Sequence, residues 1–391
     1  MKDTAITKKV KDIEGWVIEH RRDFHLHPEL SLQEFRTTGI IKEELKKMGI
    51  EAVDLGKTGV MGIIRGKGEG KVVALRGDMD ALPVTEDTGF SFTSSNPGVM
   101  HACGHDAHTS MMLGAARILS EMREEFNGTV KLIFQAAEEM AVGAKAAIES
   151  GVMDNPKVDA IVGMHIFSDY PVGTVVVQEG PFMASCDSFE LEILGNSCHG
   201  SAPWQGNDAN MCAVAVIQAL QTIVSRKNDV RVPLVLNVGT IEAGERFNVT
   251  SGKAVMTGTT RTFSEEVRRK VPAWMENIIN GICAAYECTG KLDYHFLCPA
   301  VDNDKSVAEK VKLAAAAVLG EENVIRTEMV MGSEDFSEYQ QFAPGMMVLL
   351  GTGNKEKDCV YPIHSNHFKI DEDALSNGVA VYVQSALELL K

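Results

Sequence analysis

Apolar positions along the first part of the chain switch between two periods. From Ile6 to Phe24 they fall at Ile6, Val10, Ile13 and Val17, the spacing of a helix that buries one face. Ser31 with Glu34 reads as a capping box opening a second helix, and Gly49 as the stop that closes it. Short apolar runs at 60–64, 72–76, 130–135 and 160–165 have the length of buried strands, and the stretches 106–124 and 142–150 between them read as helices. Such alternation predicts an α/β domain: a mixed, mostly parallel sheet flanked by helices. Ligands of such sheets bind beyond the carboxyl ends of the strands, where Asp78, Asp80, Glu138, Glu139 and His165 all fall.

After about Ser185 the pattern changes. A strand over 189–194, a helix over 207–225, strands over 234–241 and 253–263, a helix over 264–287 and a strand over 291–296 give the order β-α-β-β-α-β. That order is the ferredoxin-like signature of one small α+β domain. Past Pro299 the chain returns to helix–strand alternation. The expected organisation is therefore a first domain over 1–184 and 298–391 with a second, over 185–297, inserted into it. The 391 residues also exceed the length at which one hydrophobic core stops growing.

Composition narrows the class. Hydrophobic residues at 45% and 35 glycines fit a compact enzyme. No apolar run reaches the ~18 residues of a membrane span. The start, MKDTAITKKVKDIEGW, mixes charges into a helical pattern without a continuous apolar signal core, so the expected location is the cytoplasm. Eight cysteines, most in apolar segments such as those of Cys212 and Cys283, are expected to be reduced. A net charge of −16 argues against nucleic-acid and anionic-membrane partners.

The chemistry concentrates in residues 100–108, MHACGHDAH, which place Cys103 beside His101, His105 and His108. A soft thiolate and an imidazole two residues apart suit a zinc-like ion. Glu138 and Glu139 follow the strand LIFQAA and point in different directions, so one can bind metal while the other takes a proton from the water that metal acidifies. The same pair also reads as a solvated acidic start to a helix. His165 after AIVGM and His364 in YPIHSNHF are ambiguous alone, and His367 competes with His364. His101 and His108 read as structural, hydrogen-bonding the loop. Asp80 reads either as the start of a turn before Pro83 or as a carboxylate that orients a ligand. Asp78 faces the other way and reads as a turn cap. In the inserted domain, His199 of GNSCHGSAP suits a donor to a developing oxyanion. Asn248 and Arg261 suit a substrate carboxylate, although Arg261 reads equally as a surface strand charge.

HLHPELSLQEFRT, RGDMDALP, MHACGHDAH, FQAAEE, VGMH, HGSAP, GTTR, MGSEDF and PIHSNHF run nearly end to end. In their order and spacing the chain resembles the dinuclear metallopeptidase family of aminoacylases and glutamate carboxypeptidase. It is most similar to the amidohydrolase branch: hippurate hydrolases, auxin-conjugate hydrolases and N-acetyldiaminopimelate deacetylases. The resemblance implies Cys103, His105, Glu139, His165 and His364 as ligands of two divalent metal ions per subunit, with zinc first and manganese, cobalt or nickel as the other choices. It implies Glu138 as general base, Asp80 as the supporting aspartate, and a substrate-serving His199, acting within its own chain or, as often in this family, across a homodimer formed by the inserted lid domains. Two departures stand out. The usual proline before the glutamate pair is read as Ala137, loosening that turn, and Asn196-Ser197-Cys198 replaces a glycine-rich run. The wider family has a histidine ligand at the Asp78 position, so Asp78 is not expected to bind metal. The expected activity is metal-dependent hydrolysis of N-acyl amino acids or related amides. The alternatives are a dipeptidase or aminopeptidase-like enzyme and, more remotely, a non-hydrolytic thiol or metal-binding protein.

Overall fold

The stripe Ile6, Val10, Ile13 and Val17 is the buried face of helix α1 (Ala5–Leu26), in a computed structural model that describes residues 1–391. A capping box does start a helix here, but at Thr4 and Thr7, each hydroxyl accepting the other residue's backbone N–H. Helix α2 (Phe35–Lys47) begins with no side-chain cap. The expected Ser31–Glu34 box is absent because both side chains turn inward to other partners. Gly49, at φ +66°, does end that helix in the left-handed conformation a glycine adopts most easily.

The chain continues through β1 (Glu51–Asp54), β2 (Val60–Arg65), β3 (Val72–Asp78), α3 (His105–Glu121), β4 (Thr129–Gln135), α4 (Gly143–Glu149), β5 (Ala160–Pro171), β6 (Val175–Val176) and β7 (Gly180–Met183). Then come β8 (Cys186–Leu194), α5 (Ala209–Thr222), β9 (Leu234–Ala243), β10 (Lys253–Thr262), α6 (Glu265–Ala285), β11 (Thr289–Cys298) and β12 (Val301–Asn303). Helix α7 (Lys305–Leu319), β13 (Val324–Ile325), β14 (Gly345–Gly353) and α8 (Asp373–Leu390) complete it.

Two compact units result: Met1–Phe182 with Asp302–Glu328 and Asp335–Lys391, and Met183–Val301 with Met329–Glu334. In the first, eight strands lie in the order β1-β2-β4-β3-β5-β14-β6-β13, with β3, β4, β5 and β14 parallel to their neighbours within that central group. Val73, Leu75, Leu132, Val162, Met164, Val348 and Leu350 are buried beneath α3 and α8, on which α1 packs in turn. Helix α3 is buried on nearly every face, as a helix between a sheet and other helices must be.

In the second unit the sheet order β11-β8-β10-β9 is antiparallel throughout, the ferredoxin-like arrangement. Phe189, Leu191 and Ile193 alternate inward from β8 onto Val216 and Leu220 of α5 and Met275 and Ile279 of α6. The segment Met329–Glu334, which the sequence pattern leaves with the first unit, belongs here because Ala184 donates its N–H to Val330 and Gly332 carbonyls. No helix is long and apolar enough to cross a membrane.

Candidate metal centre

Strand β3 stops pairing with β5 at Arg76 opposite Gly163, so the residues beyond that point open at the carboxyl end of the sheet. His165 lies there within β5, paired with Leu349 of β14; the strand runs on to Pro171 and does not end at the histidine as expected. Cys103 and His105 stand on either side of Gly104, the residue before α3. Gly104 has φ +86°, and a Cβ there would fall 2.2 Å from the Ile166 Cδ1. Only glycine fits this turn, which aims the thiol and the imidazole at the same place. His364 also has positive φ, +67°, a strained conformation for a histidine, and its N–H is tied to the Ala102 carbonyl at 2.8 Å.

Two triads of donor atoms share Cys103. Cys103, His105 and His165 form one and Cys103, Glu139 and His364 the other, with all atoms in each within 4.8 Å of one another. Cys103 Sγ lies 3.3 Å from His165 Nε2, and His364 Nε2 lies 3.5 Å from Glu139 Oε1. Glu138 joins His105 and Glu139 in a further group, its carboxylate 3.9 Å from His105 Nε2. The structure thus brings together all five expected ligands and the expected base.

These residues fit cations on an observation independent of any family. His105 Nε2 and Glu139 Oε1 are buried polar atoms with no hydrogen-bond partner, a costly state unless something positive is bound. The electrostatics agree. Burial and the Glu139, Glu138 and Asp78 carboxylates push the Cys103 thiol well above its usual range. Burial opposes protonation of His105, but Asp78 and Asp80 outweigh it and raise the imidazole to about 10. His165, by burial and by its neighbour His108, is held well below its usual value and stays neutral. Excess negative charge that otherwise recruits protons is what a divalent cation neutralises.

Asp80 organises the centre. One oxygen accepts from His105 Nδ1 at 3.1 Å and from the Glu138 N–H at 3.2 Å; the other accepts from the Glu139 N–H at 3.1 Å and the Ser31 hydroxyl at 2.7 Å. The proton is thereby fixed on Nδ1 and Nε2 is turned toward the other donors. A single carboxylate also sets the backbone direction of both glutamates. Ser31, whose spacing suits a helix cap, instead bonds the carboxylate that both glutamate N–H groups share. Ser31→Ala is expected to lower metal affinity or turnover by about tenfold, the lower end for groups supporting a ligand, with little change in thermal midpoint. Equilibrium dialysis and initial rates check it; unchanged values would leave Ser31 as loop filling.

Glu34 is the other residue missed. Its Oε1 accepts the Ala137 N–H at 2.9 Å, clamping the turn that presents the glutamates. Ala137 has φ +54°, which a pyrrolidine ring cannot reach. This backbone would not accept a proline at Ala137, and the turn expected to be loosened there is held by Glu34. Asp78 does not cap a turn. It accepts from Arg76 Nη1 at 2.6 Å and from His108 Nδ1, and His108 Nε2 in turn accepts the Ile166 N–H at 2.9 Å. This buried chain supports the backbone beside His165. His101, expected to bond the loop, has neither ring nitrogen partnered, and burial lowers it to about 4.

Residues 74–388 match the model of Peptidase family M20/M25/M40. The chain belongs to that family. It is 41% identical to "Thermostable carboxypeptidase 2" of Saccharolobus solfataricus over 97% of this chain and 96% of the relative. It is likewise 41% identical to "N-acetylcysteine deacetylase" of Bacillus subtilis, over 96% and 97%. Among solved structures, a Bacillus subtilis dinuclear metal binding peptidase of the M20 family superposes with a TM-score of 0.85 at 38% identity, covering 97% and 99%. This M20 chain is a hydrolase of amide C–N bonds, and its clustered thiol, imidazole and carboxylate groups are of the kinds that hold a metal ion.

The remaining expected residues lie on the second unit of the M20 chain. His199 is exposed, its Nδ1 accepting from the Ser201 hydroxyl at 2.8 Å, and it is bridged to Val249. Asn248 stands beside it, its backbone oxygen accepting the Gly200 N–H at 2.8 Å while its side-chain oxygen is buried without a partner. Arg261 is elsewhere. It sits at the opposite end of β10, donating to Thr259 Oγ1 at 2.8 Å. About eight residues of strand at ~3.3 Å each separate it from the His199–Asn248 end.

Proposed function

We propose that this M20 chain hydrolyses N-acyl amino acids, releasing a carboxylic acid and a free amino acid. The observation that carries the reading is the pair of donor triads sharing Cys103, with Glu138 alongside and both glutamates oriented by Asp80. Cys103, His105 and His165 would hold one ion, and Cys103, Glu139 and His364 the other. A thiolate among the ligands would favour zinc, with manganese, cobalt or nickel as the other candidates. When bound, the ions supply Lewis acidity toward water and toward the substrate carbonyl. Glu138 takes the proton of the attacking water and returns it to the leaving nitrogen. His199 donates to the carbonyl oxygen as negative charge builds on it, and Asn248 or Arg261 holds the carboxylate of the amino acid. The eight free thiols suit a reducing compartment such as the cytoplasm.

The name of the deacetylase relative supports a small N-acyl substrate, and that of the carboxypeptidase relative supports a second reading, a peptide with a free C-terminus. Hydrolysis of N-acetyl and N-benzoyl amino acids, dipeptides and longer peptides, with metal analysis on the same sample, separates them. Fastest turnover of peptides would overturn the first reading; no turnover of any amide by metal-loaded protein would overturn both.

A homodimer through the second unit completes the proposal. Strand β9 is an edge of its sheet, and Ile241 on it and Met211 and Val214 on α5 are exposed apolar residues, the features of a surface that pairs. The spacing along β10 keeps His199 and Arg261 of one chain from touching the same small molecule, so a site using both draws them from different chains. His199→Ala is expected to keep fold and metal while lowering kcat about 10²–10³-fold, the loss of one oxyanion donor. Mixing it with Glu138→Gln should restore part of the activity through hybrid dimers. Subunit exchange confirmed by mass without recovered activity would rule out donation across the dimer.

A further inference from the structure

Two cysteines of the second unit oppose each other close to where the chain enters and leaves it. Cys186 opens β8, Cys298 closes β11, and they are direct register partners across the antiparallel pair. The ladder shifts register between Phe296 and Cys298, and the two cysteines pair just past that irregularity; ladder partners have Cα atoms about 4.5–5.5 Å apart, inside the roughly 4.4–6.8 Å that a disulfide spans. Cys298 is buried and Cys186 half-buried. Around the Cys186 sulfur converge the Cys298 thiol, the Ser333 hydroxyl and the Arg261 guanidinium. The Cys298 thiol contributes most; together with the other donors it outweighs burial and brings the Cys186 thiol down to about 6. The hydrolytic chemistry uses neither sulfur. The competing pair, Cys212 and Cys283, also lies close, with sulfurs 3.7 Å apart. Burial and the neighbouring thiols raise Cys212, so that pair stays protonated and slow to react.

We propose that Cys186 and Cys298 are a reversible dithiol–disulfide site, oxidised by hydrogen peroxide, with Cys186 as the attacking sulfur. The Cys186 thiolate attacks one peroxide oxygen, the O–O bond breaks, and the departing hydroxide takes a proton from solvent. Cys298 sulfur then attacks the resulting sulfenic sulfur. The S–O bond breaks and the second hydroxide leaves as water with the Cys298 proton. The two sulfurs lose two electrons in all, and the peroxide gains them in becoming two waters. Oxidation removes an anion from beside Arg261 and ties together the first and last strands of the inserted unit.

The test uses the reduced full-length protein. Before oxidant, iodoacetamide at neutral pH should label Cys186 roughly tenfold faster than Cys212 or Cys283, because it reacts with thiolate. After peroxide, peptide mapping by mass should show residues 186 and 298 linked, with the loss of two hydrogens, and dithiothreitol should reverse it. Cys298→Ser should abolish the link and let Cys186 proceed to sulfinic acid. Recovery of both Cys186 and Cys298 as free thiols after peroxide, or a Cys212–Cys283 link forming first, would overturn the proposal.

Discussion

Glu138→Gln is expected to bind divalent ions as the unaltered chain does and to turn over substrate about 10²–10⁴-fold more slowly, the range for loss of a general base. The substitution keeps the side chain's shape, and the backbone N–H of residue 138 still reaches Asp80. The donor triads Cys103–His105–His165 and Cys103–Glu139–His364 contain no atom of Glu138. Metal content by elemental analysis should therefore match while kcat falls. The loss should appear in kcat and kcat/KM together, because proton transfer belongs to the transition state. A near-normal rate in metal-loaded protein would remove Glu138 from the role of base.

Cys103→Ser should fail differently. Because Cys103 belongs to both triads, replacing its thiolate with a weakly donating hydroxyl should lower occupancy of both ions and abolish most activity. A folded variant with full occupancy and full rate would show that Cys103 is not a ligand. The same thiol makes metal uptake depend on pH. Without ions Cys103 and His105 both hold protons at neutral pH, since Cys103 is raised well above its usual range and His105 to about 10. Binding must displace those protons, so apparent affinity should rise with pH, and calorimetry in buffers of different ionisation enthalpy should detect their release. In the ion-free chain the sign for folding is opposite. His105 binds its proton more tightly when folded, so its contribution to stability is full below the unfolded value near 6.5 and is lost as pH climbs through about 10. Thermal midpoints measured with a chelator across that range check it.

Much of the fold was legible because its signals are local. Apolar period decides helix against strand within a window of a few residues, and it predicted α1, strands β2, β3, β4 and β5 and the β-α-β-β-α-β insertion close to where they stand, while β14 was not singled out. The candidate donors stood out for another reason: thiol, imidazole and carboxylate at strand ends are chemically distinctive, and the motif order carried the family. What a side chain does when several roles suit it was not legible. Ser31 and Glu34 match a helix cap in spacing, yet 49 and 103 residues separate them from the Asp80 and Ala137 partners they serve. Asp78 suits a turn until Arg76 and His108 are beside it. The sequence by itself determined which elements form, which chemistry-bearing side chains stand near the strand ends, and that a β-α-β-β-α-β run lies inside a longer helix–strand alternation. Only the tertiary structure decided that Cys103 is common to both donor triads, that Asp80 holds the glutamate pair, that Ala137 takes a left-handed backbone, and that Cys186 faces Cys298. These are contacts between distant segments or the backbone angle such a contact holds, and they depend on strand register and chain geometry that local hydrophobic pattern does not encode.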